Sequence, residues 1–333
     1  MYMFKYVTKR LGLMLFTFLI IFTMCFVLIK LLPIPTNALP GQDPEIIMRT
    51  LEGRGWITNI QEGENGVWTY DRVPIFIQFG TYIKRIVTRG DFGIVTTYGE
   101  YLNMNIWKVF VSHLPPTILI NIYSTLIGVP IGLLTAVYLA KMAPKKVKAV
   151  MGQAVSLLAG IPSVVYGLVG MVVLVPGVRK LFHIPDGASL FSAIIVLAVM
   201  ILPSIIKMSV TALEAVPKEY EDASLALGAT PEETWFRISV PAARSGIAAA
   251  VVLGVGRAIG EATAVMMVAG NVANMPDSLF QSVQFLTTAV VTNMSYSSGL
   301  YRQALFSIAL VLFLFIMLIN AVLNFFLKGE RSK

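Results

Sequence analysis

Five stretches of this chain run for about twenty residues or more with almost no charge: about 11–32, 116–140, 149–178, 187–206 and 303–327. A helix needs roughly 20 apolar residues to cross a bilayer, where every backbone polar group must be satisfied within the protein. A sixth stretch, about 245–270, is apolar apart from Arg257 and Glu261. The runs are continuous rather than alternating, which excludes a β-barrel. The fold expected is therefore all-α: a polytopic membrane protein with six transmembrane helices. Composition agrees, since only 13% of the residues are charged and 56% are hydrophobic, against about 25% charged in soluble domains.

The basic residues orient these spans. Lys5, Lys9 and Arg10 precede the first, and Lys141, Lys145, Lys146 and Lys148 lie between the second and third. Lys207, Lys218, Arg237 and Arg244 lie between the fourth and fifth, and Lys328, Arg331 and Lys333 follow the sixth. More than half of the 26 Lys and Arg residues thus fall on one side, which the positive-inside rule makes cytoplasmic. The expected organisation is a cytoplasmic N-terminus (1–10), a first transmembrane helix (11–32), an extracytoplasmic segment (33–112), a transmembrane core (113–327) and a cytoplasmic tail (328–333). The net charge of +8 is accounted for by this bias and calls for no nucleic acid. The first run is longer than a signal-peptide core and no small-x-small cleavage site follows it, so it is expected to be a retained anchor. The single cysteine, Cys25, lies within it, so no disulfide forms within the chain.

The segment 33–112 is mixed in charge, with aromatic residues at Trp68, Tyr70, Phe76 and Phe79. An amphipathic helix lying on the membrane is expected around Val73–Thr88, as part of a cap too short and polar to promise a stable domain alone.

A polar interlude, 217–241, separates two apolar runs and carries start and stop signals for two short helices. Pro217 stands at a helix start with Glu219, Glu221 and Asp222 in the first turn, where the helix dipole favours acids. Gly228 ends that helix through a left-handed cap. Thr230 caps the next, Pro231 opens it, Glu233 completes a capping box, and Pro241 is expected to stop it. Such a helix-turn-helix reads as a docking knob. The spacing Asp222-Ala223-Ser224, three residues, Gly228, nine residues, Ile238, one residue, Val240-Pro241 is similar to the cytoplasmic EAA loop of ABC importer permeases, which plugs into the ATPase subunit. Asp222, Ser224 and Val240 replace the commoner Glu, Ala and Leu. The resemblance assigns ATPase coupling to Glu221, Asp222, Ala223, Ser224, Gly228, Ile238 and Pro241.

From about Leu114 to Phe326 the likeness sharpens. Gly160-Ile-Pro-Ser-Val-Val-Tyr-Gly167, Leu225–Thr230, Gly256-Arg-Ala-Ile-Gly-Glu261 and Ala269-Gly-Asn271 resemble the phosphate importer permease family, PstC-type. Arg89-Gly-Asp-Phe-Gly93 and the first span bear a vaguer resemblance to peptide-importer permeases, which keeps a peptide-type or other oxyanion importer as an alternative.

Arg257 and Glu261 are the sharpest candidates for a substrate pathway. Four apart, they are expected to share one helix face, and intramembrane charges line pathways or pair internally. An arginine fork suits a phosphate oxyanion, and the resemblance implicates these positions in transport. The alternative is a buried ion pair that holds helices in register. Gly256 and Gly260 form a Gly-x3-Gly packing motif. Pro162 is expected to kink the third span; the hydroxyls of Ser163 and Tyr166 then either lie near the path or simply belong to ordinary helix packing around the kink.

No Gly-x4-Gly-Lys-Ser/Thr loop occurs, and the Gly254-x-Gly256 run does not follow a strand, so neither nucleotide fingerprint is present. Only His113 and His183 exist, with no Cys/His cluster, so no metal site is legible. No nucleophile and base converge, which argues against a membrane enzyme. The expected protein has no cofactor and performs no chemistry itself. The resemblance implies as partners a second permease subunit, an ATP-binding cassette ATPase dimer and an extracytoplasmic phosphate-binding protein. It places the chain in a bacterial or archaeal cell membrane, amid lipid.

Overall fold

The computed structural model describes residues 2–31, 43–63, 68–92, 106–294, 297 and 299–329. The described chain is mostly helical, as the apolar runs require, with one small hairpin in addition. It divides into two compact units, Met1–Val109 with Asn293–Leu310 and Phe110–Thr292 with Val311–Lys333.

The first unit contains α1 (Tyr2–Leu31), α2 (Pro44–Gly53), the antiparallel pair β1 (Ile57–Glu62) and β2 (Trp68–Arg72), and α3 (Ile75–Arg89). Asp43 caps α2 by accepting the Glu45 N–H at 2.9 Å. Met48, Leu51, Trp56 and Ile57 are buried together, with Trp68 and Tyr70 packed against them. The amphipathic helix expected near 73–88 is α3. Its apolar face is spent on protein: Phe79, Tyr82, Ile83 and Ile86 pack with Phe22 and Phe26 of α1 and with Phe306 and Leu310 of α15 (Gly299–Gly329). Tyr82 and Ser307 share a hydroxyl hydrogen bond at 2.7 Å. The segment thus builds a core from aromatic side chains that hydropathy alone does not pair, while Phe76 stays 82% exposed.

The second unit begins within α4 (Ile106–Val137), so the expected boundary at 112/113 falls inside a helix. A π-helical turn, Tyr138–Met142, ends α4. The expected third span, 149–178, is not one kinked helix. α5 (Lys145–Gly160) stops, Ile161 and Pro162 turn the chain, and α6 (Ser163–Val169), a π turn at Gly170–Leu174 and α7 (Val175–Phe182) follow. Ile161 and Pro162 both adopt extended backbone, the conformation imposed on the residue before a proline, so the helix breaks rather than bends.

α8 (Leu190–Glu214) is the buried hub of this unit. It packs against α12 (Arg244–Ile259) along its length, and α4 approaches closely through glycines. A Cβ on Gly128 would lie 2.8 Å from Ile201, and one on Gly132 or Gly254 would lie 2.9 Å from Ile205. Helices without bulk at the contact approach closely and gain dispersion contacts in lipid. The packing face of α12 is Ala250-x3-Gly254-x3-Ala258, all buried. The expected Gly256/Gly260 motif is not that face: Gly256 faces Asn320, and Gly260 is exposed outside the helix.

The run 245–270 is also broken. α12 ends at Ile259, and α13 (Thr263–Val268) starts after Gly260-Glu261-Ala262. The chain then turns at Gly270 (φ 84) and Asn271 (φ 57), whose side chain donates to Met266 O at 2.7 Å. It pairs at Gly270 with Val283 before α14 (Leu286–Met294).

Four described helices are long and apolar enough to cross a membrane: Ile106–Met142, Ser163–Phe182, Leu190–Glu214 and Tyr301–Ala321. Counting the pair Pro231–Ala242 and Arg244–Ile259, bent by 71°, makes five. Leu15–Leu31 is apolar but shorter. The expected count of six is therefore not reached on length and composition. The last residues of the expected tail, 330–333, lie outside the described residues.

Candidate functional site

The loop 217–241 folds as its signals dictate. Pro217 is the N-cap of α9 (Lys218–Ala226), and Gly228, at φ 87, follows its end. Only glycine takes that conformation at no steric cost. Thr230 caps α10 (Pro231–Thr234) with both arms of the capping box in place: its Oγ1 accepts the Glu233 N–H at 3.3 Å, and Glu233 Oε2 accepts the Thr230 N–H at 3.2 Å.

Pro241 does not stop this helix. A π turn, Trp235–Ser239, follows α10, and Pro241 lies inside α11 (Val240–Ala242). Proline lacks an N–H and clashes with the carbonyl four residues back. The wider π turn precedes it, and the sharp bend comes only at Ala243, into α12.

Asp222, Ala223, Gly228 and Pro241 are exposed and Ile238 is half-buried. Around them Tyr220, Leu225 and Phe236 are about half exposed, and Leu227 is 90% exposed. These apolar side chains stay open on a well-capped helical knob. Two expected coupling residues turn inward instead. Ser224 shares a hydrogen bond with Thr234 Oγ1 at 2.9 Å. Glu221 is held by Lys141 Nζ and by the Ser239 hydroxyl, which donates at 2.8 Å. Burial works against the Glu221 anion, yet the bonds from Lys141 and Ser239 prevail and hold its pKa below the ordinary value.

The intramembrane candidates are rearranged by the helix breaks. Arg257, half-buried near the end of α12, donates to Ser204 Oγ of α8 at 3.2 Å. Glu261 lies past that end and turns the other way: its Oε1 accepts the Ala264 N–H at 3.0 Å, at the start of α13. Among the described residues the two form no ion pair, so the register-holding pair is not what the structure contains. The cause is local, because Gly260 releases the helix and a carboxylate is favoured where new N–H groups open. The Glu261 carbonyl accepts Thr287 Oγ1 at 3.0 Å, which ties the break to α14. Tyr166 of α6 lies within electrostatic reach of Arg257. Its hydroxyl, however, donates to Leu158 O at 2.7 Å, across the break at Pro162. Tyr166 also borders a groove of about 880 Å³ lined by apolar side chains such as Val165, Val173 and Val199. Ser163 opens α6, half-buried.

A guanidinium carries five N–H donors, and one hydrogen bond is formed here among the described residues. Among the described residues no carboxylate pairs with this guanidinium, which lies near the end of α12 against the Ser204 hydroxyl. Sequence reasoning missed Ser204, Thr287 and Ser239, and named Lys141 only as part of the basic run, not as the partner of Glu221. Each is distant in the chain from the residue it serves, and only Ser204, directly after the in-helix Pro203, had a local signal.

The family model for binding-protein-dependent transport system inner membrane components matches residues 128–329. The probable ABC transporter permease protein YqgH of Bacillus subtilis (strain 168) is 43% identical over 207 residues, 60% of this chain and 67% of that protein. The phosphate transport system permease protein PstC of Pasteurella multocida is 32% identical over 219 residues, 60% of this chain and 68% of that protein. The PstC of Haemophilus influenzae is 34% identical over 206 residues, 56% of this chain and 65% of that protein. Among solved structures, the inward-facing MetNI methionine ABC transporter aligns at a TM-score of 0.54 and 20% identity, covering 67% of this chain and 96% of that one.

Proposed function

This chain belongs to the family of binding-protein-dependent transport system inner membrane components, and from that premise we propose that it carries inorganic phosphate inward across the cytoplasmic membrane. It is an ABC transporter permease, a family whose ATPase lies in partner subunits. The observation that carries the phosphate reading is Arg257: a cation at the end of a helix in an apolar run, hydrogen-bonded to one serine hydroxyl rather than neutralised by Glu261. The relatives named phosphate permeases support the same cargo.

In this reading a second permease encloses the path with this one, and an extracytoplasmic phosphate-binding protein delivers the anion. An ATPase dimer docks on the exposed face of 217–241 around Asp222, Ala223 and Leu227. Closure of the ATPases drives alternating access. Arg257 meets the oxyanion, Glu261 keeps the break open by capping α13, and Ser163 and Tyr166 border the route. Both termini and 141–148 face the cytoplasm, and 33–112 faces outward.

The complete complex in proteoliposomes tests this reading. Uptake of labelled phosphate is expected, with sulfate, molybdate and peptides excluded. Arg257→Ala is expected to lower uptake about a hundredfold while the complex stays assembled, the scale for losing a charge-assisted contact. Arg257→Lys rescues poorly, since an ammonium lacks the fork. Wild-type phosphate uptake after replacement of both Arg257 and Glu261 by apolar residues overturns the role.

A further inference from the structure

α9 is nine residues long and buries none of them. A helix that short is marginal in isolation, so its orientation depends on ties to other elements. One tie is the Ser224–Thr234 hydroxyl pair, internal to the knob. The other is Glu221. Its Oε1 accepts both from Lys141 Nζ and from Ser239 Oγ. Lys141 sits in the π turn that ends α4, and Ser239 is the last residue of the π turn that leads into α11. The Lys141 and Glu221 side chains are 12% and 19% exposed, unlike the open Lys148–Glu214 pair between α5 and the end of α8, at 42% and 45%. Ala136, Val137, Leu213, Val216, Ala243 and Ile247, in or next to the ends of α4 and α8 and the start of α12, form an apolar cluster on which Trp235 and Val240 also pack.

π turns recur at functional sites because one extra residue re-aims the rest of the helix. With 3.6 residues per turn, removing that residue would swing Lys141 about 100° around the axis, away from Glu221. Both partners of one carboxylate therefore depend on irregular turns in two different helices.

We propose that Glu221 is a positioning residue for transport, clasping the ATPase-docking helix α9 at once to the end of α4 and to the turn that feeds α12. A displacement of α9 then reaches α4 and the Arg257-bearing helix together, rather than being absorbed in the loop. This rests on the reading of 217–241 as the ATPase-docking element.

The readout is ATP hydrolysed per substrate imported, in the reconstituted complex. Glu221→Gln and Lys141→Met each raise that ratio roughly fivefold or more, the usual range of a coupling free energy. Ser239→Ala raises it less. The reversed pair, Lys141→Glu with Glu221→Lys, brings it back toward the wild-type value. The ratio is taken per complex, so lowered abundance does not alter it. An unchanged ratio in both single variants overturns the proposal, whether or not they assemble less well. A raised ratio that the reversed pair leaves untouched also overturns it. Failure of the phosphate assignment shows separately, as a wild-type complex whose ATP hydrolysis responds to another cargo. The ratio is then measured with that cargo.

Discussion

The loop 217–241 and the run 244–270 are both chains of short helices joined at breaks, but opposite forces hold them. In the loop, side-chain hydrogen bonds do the work: the capping box at Thr230 and Glu233, the Ser224–Thr234 pair and the Glu221 clasp. Along the run, α12 is held by the absence of side chains, with Ala250, Gly254 and Ala258 pressed against α8. Directional bonds let a surface element move as a unit and still be replaced one bond at a time. Close packing in an apolar interior tolerates no such increments. In the proposed function, the difference separates an element that receives a partner from one that holds Arg257 at a fixed place.

Three changes sharpen or break that contrast. The largest effect is expected from Gly254→Leu, which forces a side chain into Ile205, where even a Cβ would stand at 2.9 Å. Overpacking of this kind costs about 1–3 kcal/mol or more, so thermal unfolding in detergent should show a clear loss. A variant as stable as wild type would mean that α12 and α8 are not locked.

Gly228→Ala comes next. At φ 87 an alanine costs about 1–2 kcal/mol, confined to the loop. Global unfolding should move little, whereas amide exchange across 217–234 should quicken. Global destabilisation equal to that of Gly254→Leu would erase the contrast.

The smallest effect is a pH dependence. Glu221 is held below its usual range by Lys141 and Ser239 against the effect of burial, with Lys218 assisting. A carboxylate with a depressed folded pKa stabilises fully above its unfolded pKa and loses that contribution as pH falls through the folded one. The stability gap between wild type and Glu221→Gln should be flat at neutral pH and close only in acid. A gap that closed near neutral pH would contradict the clasp.

The loop was legible because caps act over three or four residues. Pro217, Gly228, Thr230 and Glu233 each stand next to the backbone groups they serve, and all four fall where the sequence places them. The clasp was not, since Lys141 and Glu221 are 80 positions apart and nothing in either neighbourhood names the other. Arg257 stood out as a charge in an apolar run. Its separation from Glu261 did not, because hydropathy reports what a segment prefers as surroundings and is silent on whether its helix continues.

Two Gly-x3-Gly pairs make the same point. Gly128 and Gly132 meet Ile201 and Ile205, whereas Gly260 meets only its own turn, yet the spacing in sequence is identical. By itself the sequence determined that this chain is a helical membrane protein with a capped knob between apolar runs, because burial preference and capping are carried by neighbouring residues; that it is a permease came from the resemblance of its motifs and from the family it matches. Only the tertiary structure decided which apolar runs break, which glycines bear a neighbour and which carboxylates turn inward. Those outcomes depend on the shapes and charges of distant elements that meet only in the fold.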